Sequence, residues 1–191
     1  MRRTPHAFTT TEMLIAVSIV SIASAIVLSR VDYTSYRLDS AARGLRATVQ
    51  RAQAQAVTSQ HNELMAFDLV NQRVYVIDDV NNDLTVDPGD RVTSASFQDG
   101  VVFGSPPDTW SGAPTPSGAI TATSLSTVTV NGSALPTIVF RSDGAASTDA
   151  QVYVTSLRGL ATDFRGVSVM QTTGRTDWYK RSTGTWALAG F

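Results

Sequence analysis

An uncharged, proline-free apolar run near the N-terminus constrains the fold of this chain more than any other feature. It extends over sixteen residues, from Met13 to Leu28, and an acid, Glu12, comes directly before it. From Phe8 onward the segment has 21 residues, which as a helix matches the roughly 30 Å hydrocarbon core of a membrane. Because an unpaired carboxylate is costly in lipid, Glu12 is predicted to be functional and to have a partner.

Three interpretations of this segment compete. In a secretory signal peptide, Arg2 and Arg3 would precede the apolar run, and Ala23-Ser24-Ala25 would be the cleavage site. In a plain membrane anchor the run would simply cross the bilayer. Neither interpretation gives Glu12 a role, and the third one does.

The residues Ala7-Phe8-Thr9-Thr10-Thr11-Glu12-Met13 resemble the class III signal of type IV pilins and pseudopilins. The resemblance implies that a prepilin peptidase cuts between Ala7 and Phe8 and N-methylates Phe8. The apolar helix then remains as an inner-membrane anchor and later as filament core. Glu12, the fifth residue after the cut, would pair with the α-amine of a neighbouring subunit, which neutralises both charges in a low-dielectric environment.

Beyond Leu28 the apolar spacing is helical. Small and medium apolar residues recur at steps of three and four, namely Leu38, Ala42, Leu45, Val49, Ala52 and Ala56. This stripe predicts a helix face that packs on a sheet, and together with the anchor it predicts one helix from about residue 8 to about residue 59. From Glu63 onward the period falls to two, which is typical of antiparallel β-structure. Residues 104–118, with four prolines, are predicted to be an irregular loop.

The predicted fold class is therefore α+β, with a long N-terminal α-helix, transmembrane and then amphipathic, packed on an antiparallel β-sheet domain. Four segments follow from it: a leader (1–7), a transmembrane or filament-core helix (8–29), an amphipathic helix (30–60) and a β-rich globular domain (61–191).

A second resemblance covers most of the chain and is to the GspH/FimT group of minor pilins and pseudopilins. The matching pieces are A-A-R-G-L-R-A-T-V-Q-R-A-Q-A-Q-A-V-T, D-D-V-N-N-D-L-T-V-D-P-G-D-R-V, I-V-F-R-S-D-G-A-A-S and R-G-V-S-V-M-Q-T-T-G-R. The resemblance implies a structural subunit that assembles into, initiates or caps a type IV pilus or a type II secretion pseudopilus. Its partners would be other pilin subunits, the prepilin peptidase and the inner membrane. The C-terminal domain would be periplasmic, or at a filament tip on the cell surface.

Composition argues against an enzyme. The chain has no cysteine, which excludes thiolate catalysis, disulfides and Cys-ligated metals. Only His6 and His61 are present, and His6 lies in the leader, so a Ser-His-Asp arrangement has one histidine to use. No cofactor is predicted.

An acidic stretch resembles a calcium loop in spacing. Oxygen ligands fall at positions 1, 3, 5, 9 and 12 of a twelve-residue loop, namely Asp79, Asn81, Asp83, Asp87 and Asp90. Leu84 stands where such a loop needs Gly, and Asp90 is shorter than the usual bidentate Glu. A solvated hairpin end built from Asx-turns is the favoured interpretation, with a calcium site as the alternative.

The C-terminal stretch combines cations with aromatic residues, a pattern found in nucleic-acid-binding proteins. Arg175, Lys180 and Arg181 are the candidate DNA contacts. Some FimT-like proteins act in DNA uptake through a G-R-x-R motif, but here Asp177 replaces its second Arg, so the match stops at Arg175. A DNA-binding minor pilin is therefore the alternative function. An ordinary strand that alternates core and solvent positions is favoured over it.

Overall fold

A computed structural model of the chain describes residues 9–28, 32–98, 100–106, 120–122, 125–182 and 185–189. The predicted cleavage position between Ala7 and Phe8 and most of the proline-rich loop lie outside these residues. The chain divides into two compact units, residues 1–33 and 34–191, and each is described by itself. The four-segment division made from the sequence stays a prediction.

Helix α1 (Thr10–Leu28) lies in the first unit and exposes apolar side chains in several directions. Leu14 is 65% exposed and Ile15 is 55% exposed, although successive helix residues point about 100° apart. Measured over the residues that the structure describes, no helix combines the length and the apolarity needed to cross a membrane. Among residues 10–25, the large apolar side chains that are more than half exposed are Met13, Leu14, Ile15, Val17, Ile19, Val20 and Ile22.

Helix α2 (Tyr33–Ser59) buries the stripe that the sequence predicts. Its buried residues are Leu38, Ala42, Leu45, Val49, Ala52 and Ala56. The single helix predicted from residue 8 to residue 59 is interrupted, because Asp32, directly before α2, is not helical. Asp is favoured at the position before a helix, where its side chain can cap free N–H groups.

The second unit contains two antiparallel sheets. In the first sheet the strand order is β3-β2-β1-β7-β6, and in the second it is β11-β10-β9-β8-β4, with β5 also paired to β8. The strands of the first sheet are β1 (Asn62–Asp68), β2 (Arg73–Asp79), β3 (Arg91–Ser96), β6 (Ser126–Val130) and β7 (Ser133–Phe140). Those of the second are β4 (Val101–Phe103), β5 (Ile120–Ala122), β8 (Ala150–Ser156), β9 (Arg165–Val169), β10 (Thr176–Ser182) and β11 (Thr185–Leu188).

The main core lies where α2 packs against both sheets. Met65 and Phe67 of β1 contribute from the first sheet, and Val152 and Val167 contribute from the second. A smaller apolar cluster on the other face of the first sheet includes Leu64. Because β1 is covered on both faces, its side chains are buried from Glu63 to Asp68. The predicted α+β architecture is confirmed.

Candidate functional site

Glu12 forms a reciprocal hydrogen-bonded cap with Thr9 at the start of α1. Thr9 donates from its backbone N and from Oγ1 to Oε2 of Glu12, both at 2.9 Å. The Glu12 backbone N donates to Thr9 Oγ1 at 3.3 Å. This arrangement is a capping box, which Thr-x-x-Glu spacing signals in a sequence. An interpretation based only on a partner in another subunit overlooks this local role.

Of the five predicted oxygen ligands of the acidic stretch, Asp79 is the last residue of β2 and the other four lie in the loop between β2 and β3. Asp79 accepts hydrogen bonds from the backbone N of Asp83 at 3.1 Å and of Leu84 at 2.9 Å. Leu84 has a positive φ of 64° at the position where a calcium loop needs Gly. Hydrogen bonds from Thr85 hold the pKa of Asp83 below its ordinary value.

The other loop residues also bind one another. Asp90 accepts from the backbone N of Val80 at 3.2 Å and of Asp87 at 2.8 Å. The Asn81 side-chain amide donates to the carboxylates of Asp83 and Asp87. Within the described residues, no three acidic or histidine side chains are grouped to hold a metal ion. These contacts support the interpretation of Asx-turns, and the calcium site stays an untested alternative.

The three candidate DNA contacts do not share one environment. Arg175 has a side chain 63% exposed, and its Nη2 lies 2.9 Å from a carboxylate oxygen of Asp177. Lys180 is 42% exposed, and its Nζ lies 3.6 Å from Asp39. Arg181 is buried and donates to a backbone carbonyl at 2.5 Å. Arg175 and Lys180 therefore reach solvent beside an acid, whereas the guanidinium of Arg181 points into the protein.

Gly174, the first residue of the partial G-R-x-R match, has a structural reason to be glycine. Its φ is +62°, and an added Cβ would lie 2.4 Å from the carbonyl oxygen of Gly144. Gln53 of α2 occupies the same place, because its Nε2 donates to the carbonyl oxygens of Gly144 at 2.9 Å and Thr173 at 2.8 Å. The β9–β10 turn therefore contacts the helix here, and this glycine needs no DNA to explain it.

Glu63 is a charged residue of the interior that the sequence interpretation missed. It is fully buried, and within the described residues neither of its carboxylate oxygens has a hydrogen-bond partner. It lines a cavity of about 110 Å³ between α2 and the first three strands, together with Arg51 and Arg91. Burial, reinforced by the charge of Asp78, raises the pKa of Glu63 to about 7, although both arginines oppose the shift.

The period-two pattern contains the signal that identifies Glu63. Glu63, Met65 and Phe67 alternate along β1 and so point to the same face of the strand. Met65 and Phe67 belong to the main core, so the same alternation places an acid against it. Reading the strand by alternation, rather than as an apolar run that begins at Leu64, would have predicted the burial.

The sequence matches no protein-family model and no curated protein. Two similar solved structures are of the minor pseudopilin EpsH from the type II secretion system of Vibrio cholerae. One is 12% identical with a TM-score of 0.50, and the match covers 75% of this chain and 94% of that chain.

The second EpsH structure is 11% identical with a TM-score of 0.47, and the match covers 81% of this chain and 97% of that chain. Identities this low show the fold alone, and the fold is inferred from the first of the two structures. Like that structure, this chain combines an N-terminal helix with antiparallel sheets. It therefore has the pilin-like fold of that EpsH structure.

Proposed function

We propose that this protein is a structural subunit, a minor pilin or pseudopilin, that assembles into, initiates or caps a type IV pilus or a type II secretion pseudopilus. The observation that carries the proposal is α1, an apolar helix with side chains exposed in several directions and an acid in its first turn. Exposed apolar surface of this kind requires cover from lipid or from other apolar helices. A pseudopilin-like fold supports the same function.

In this proposal residues 8–29 anchor the chain in the inner membrane and later form the filament core. A prepilin peptidase cuts between Ala7 and Phe8 and methylates the new amine of Phe8. The second unit then lies on the periplasmic side, or at a filament tip. Intact mass is the direct test, since cleavage after Ala25 would instead leave Ile26 as the first residue and refute the proposal.

Glu12 is proposed to bind the α-amine of a neighbouring subunit while still capping its own helix. Both hydrogen bonds from Thr9 end on Oε2, so the cap and a neighbour's ammonium can use different oxygens of one carboxylate. An ammonium brought into an apolar interior without its counter-charge costs several kcal/mol. Loss of Glu12 should therefore weaken assembly more than it weakens the helix.

Three variants separate the two roles of Glu12. Glu12→Ala removes both the cap and the charge, Glu12→Gln keeps a side chain that can cap but removes the charge, and Thr9→Val removes the hydroxyl of the cap and keeps the charge. All three keep the residues at the predicted cut. We expect co-purification with other pilin subunits to fall strongly for Glu12→Ala, to fall in part for Glu12→Gln, and to stay near wild type for Thr9→Val. Wild-type co-purification of Glu12→Ala would refute the assembly role.

A further inference from the structure

One end of the second unit is built around a buried arginine. Arg165 of β9 is fully buried, and its Nε donates to Asp39 of α2 at 2.5 Å. Its Nη2 donates to Ser35 Oγ at 3.0 Å, and its Nη1 donates to the carbonyl oxygen of Thr162 at 2.9 Å. One guanidinium thus holds the loop between β8 and β9, residues 157–164, beside the first two turns of α2.

This end of the unit exposes apolar side chains. Leu157 is 76% exposed and Leu160 is 50% exposed in the loop, and Tyr36 is 71% exposed on α2. Leu157 and Arg158 line one shallow depression together with Arg37 of α2. We define the α2-start patch as Arg37, Leu157 and Arg158, which line this depression, together with Tyr36 beside Arg37 on α2 and Leu160 in the loop of Leu157.

The composition of the patch matches that of proteins that rest in a membrane interface. Leucines enter the boundary of the acyl chains, tyrosine lies at the level of the headgroups, and arginines face the phosphates while their stems cover apolar surface. Nη2 of Arg158 lies 2.8 Å from Oδ1 of Asp163, which holds the guanidinium in place. The Arg158 side chain nevertheless stays 39% exposed. The patch is therefore amphipathic rather than simply basic.

Chain connectivity decides which surface can cover the patch. Helix α1 ends at Leu28 and α2 begins at Tyr33, and five residue steps span at most roughly 18 Å of extended chain. If α1 is inserted in a bilayer, the first turns of α2 cannot lie far from the headgroups. The opposite end of α2 is about 40 Å away along its axis, since the helix has 27 residues.

We propose that the α2-start patch docks on the lipid surface of the membrane in which the chain is anchored. The inference rests on the proposed anchoring by α1 and extends it to the second unit. Docking holds the folded domain against the bilayer before assembly. Extraction of the subunit into a filament then exposes the patch again.

The test uses the absence of cysteine from the natural chain, which allows single labels on the full-length protein. The full chain is placed in nanodiscs of phosphatidylethanolamine and phosphatidylglycerol, and an environment-sensitive dye is attached to Leu157→Cys or to Leu160→Cys.

The matched control is Leu84→Cys, because Leu84 is 46% exposed against 50% for Leu160. Leu84 belongs to the β2–β3 loop, which meets β1 just beyond the end of α2, where Asn82 accepts from the Asn62 backbone N. A fourth label, at Ile19→Cys, reports on α1.

The measured quantity is the quenching of each dye by nitroxides attached either to lipid headgroups or to acyl chains. We expect headgroup quenching at both patch positions at least about twofold stronger than at Leu84→Cys, and acyl-chain quenching at Ile19→Cys. If Ile19→Cys is quenched while the patch labels behave like the Leu84 label, anchoring stands and the docking proposal is overturned. If Ile19→Cys is not quenched, the anchoring itself fails and the docking proposal falls with it. With one protein copy in each disc, another subunit cannot produce the signal.

Discussion

Replacing the buried acid Glu63 by Gln should stabilise the folded protein above pH 7 and leave its stability below pH 4.5 almost unchanged. The folded protein raises the pKa of Glu63 from 4.5 to about 7, so it binds this proton more tightly than the unfolded chain does. The favourable contribution is complete below pH 4.5 and is lost as the pH rises through about 7. Stability should therefore fall with increasing pH in this window.

The size of this stability loss follows from the pKa shift of Glu63. Moving a pKa from 4.5 to about 7, at 1.36 kcal/mol for each unit, corresponds to about 3 kcal/mol of lost stability. Gln has nearly the same shape and cannot ionise, and its buried amide, like the protonated carboxyl, has no partner. We expect Glu63→Gln to match the wild type within about 1 kcal/mol below pH 4.5. Above pH 7 it should be more stable by up to about 3 kcal/mol.

The assay is urea unfolding of the full-length protein in detergent at a series of pH values, followed by tryptophan fluorescence. Trp178 is buried in the main core and reports on the second unit. Asp68→Asn is the control with the opposite sign, because hydrogen bonds from Asn71 lower the pKa of Asp68. That variant should lose stability above the ordinary pKa of Asp68 and approach the wild type in strong acid. An equal effect of Glu63→Gln below pH 4.5 and above pH 7 would refute the reasoning.

Three further predictions concern Gly174, the acidic loop and DNA binding. Gly174→Ala should destabilise the protein by about 2 kcal/mol or more in urea unfolding, because the backbone φ there is unfavourable for Ala and the added Cβ meets the Gly144 carbonyl. Gly89→Ala is the control, since no heavy atom lies near its added Cβ. The melting temperature should be the same in millimolar calcium and in chelator, since backbone N–H groups of the loop already donate to Asp79 and Asp90. A calcium-specific rise in melting temperature would restore the metal-site interpretation. Duplex DNA should bind weakly or not at all in a gel shift at physiological salt, and tight binding abolished by Arg175→Ala would favour the receptor function instead.

Patterns that repeat along the chain were predicted well. The six residues of the apolar stripe, from Leu38 to Ala56, are the buried residues of α2, because a period of 3.6 fixes which side chains share a face. The change to period two at Glu63 correctly predicted antiparallel strands.

Contacts between distant parts of the chain were not predictable in this way. Asp39 and Arg165 are 126 positions apart and meet only because α2 packs beside β9. The burial of Arg181 likewise depends on the segment before β9, which supplies its carbonyl partner. Composition made Arg181 a candidate for DNA contact, whereas tertiary packing determines which cations reach solvent.

The way α2 is fastened to the sheets has a mechanical consequence. Near its start α2 is joined to β9 through Asp39, and about halfway along Arg46 donates to the Thr176 carbonyl at 3.1 Å. Further on, Gln53 reaches two turns at once. A pull along the helix axis would load these attachments in parallel, as in shear, rather than one after another as in peeling. We expect single-molecule pulling through α2 to give a high rupture force that falls in Gln53→Ala, and an unchanged force would show that the buried stripe alone bears the tension.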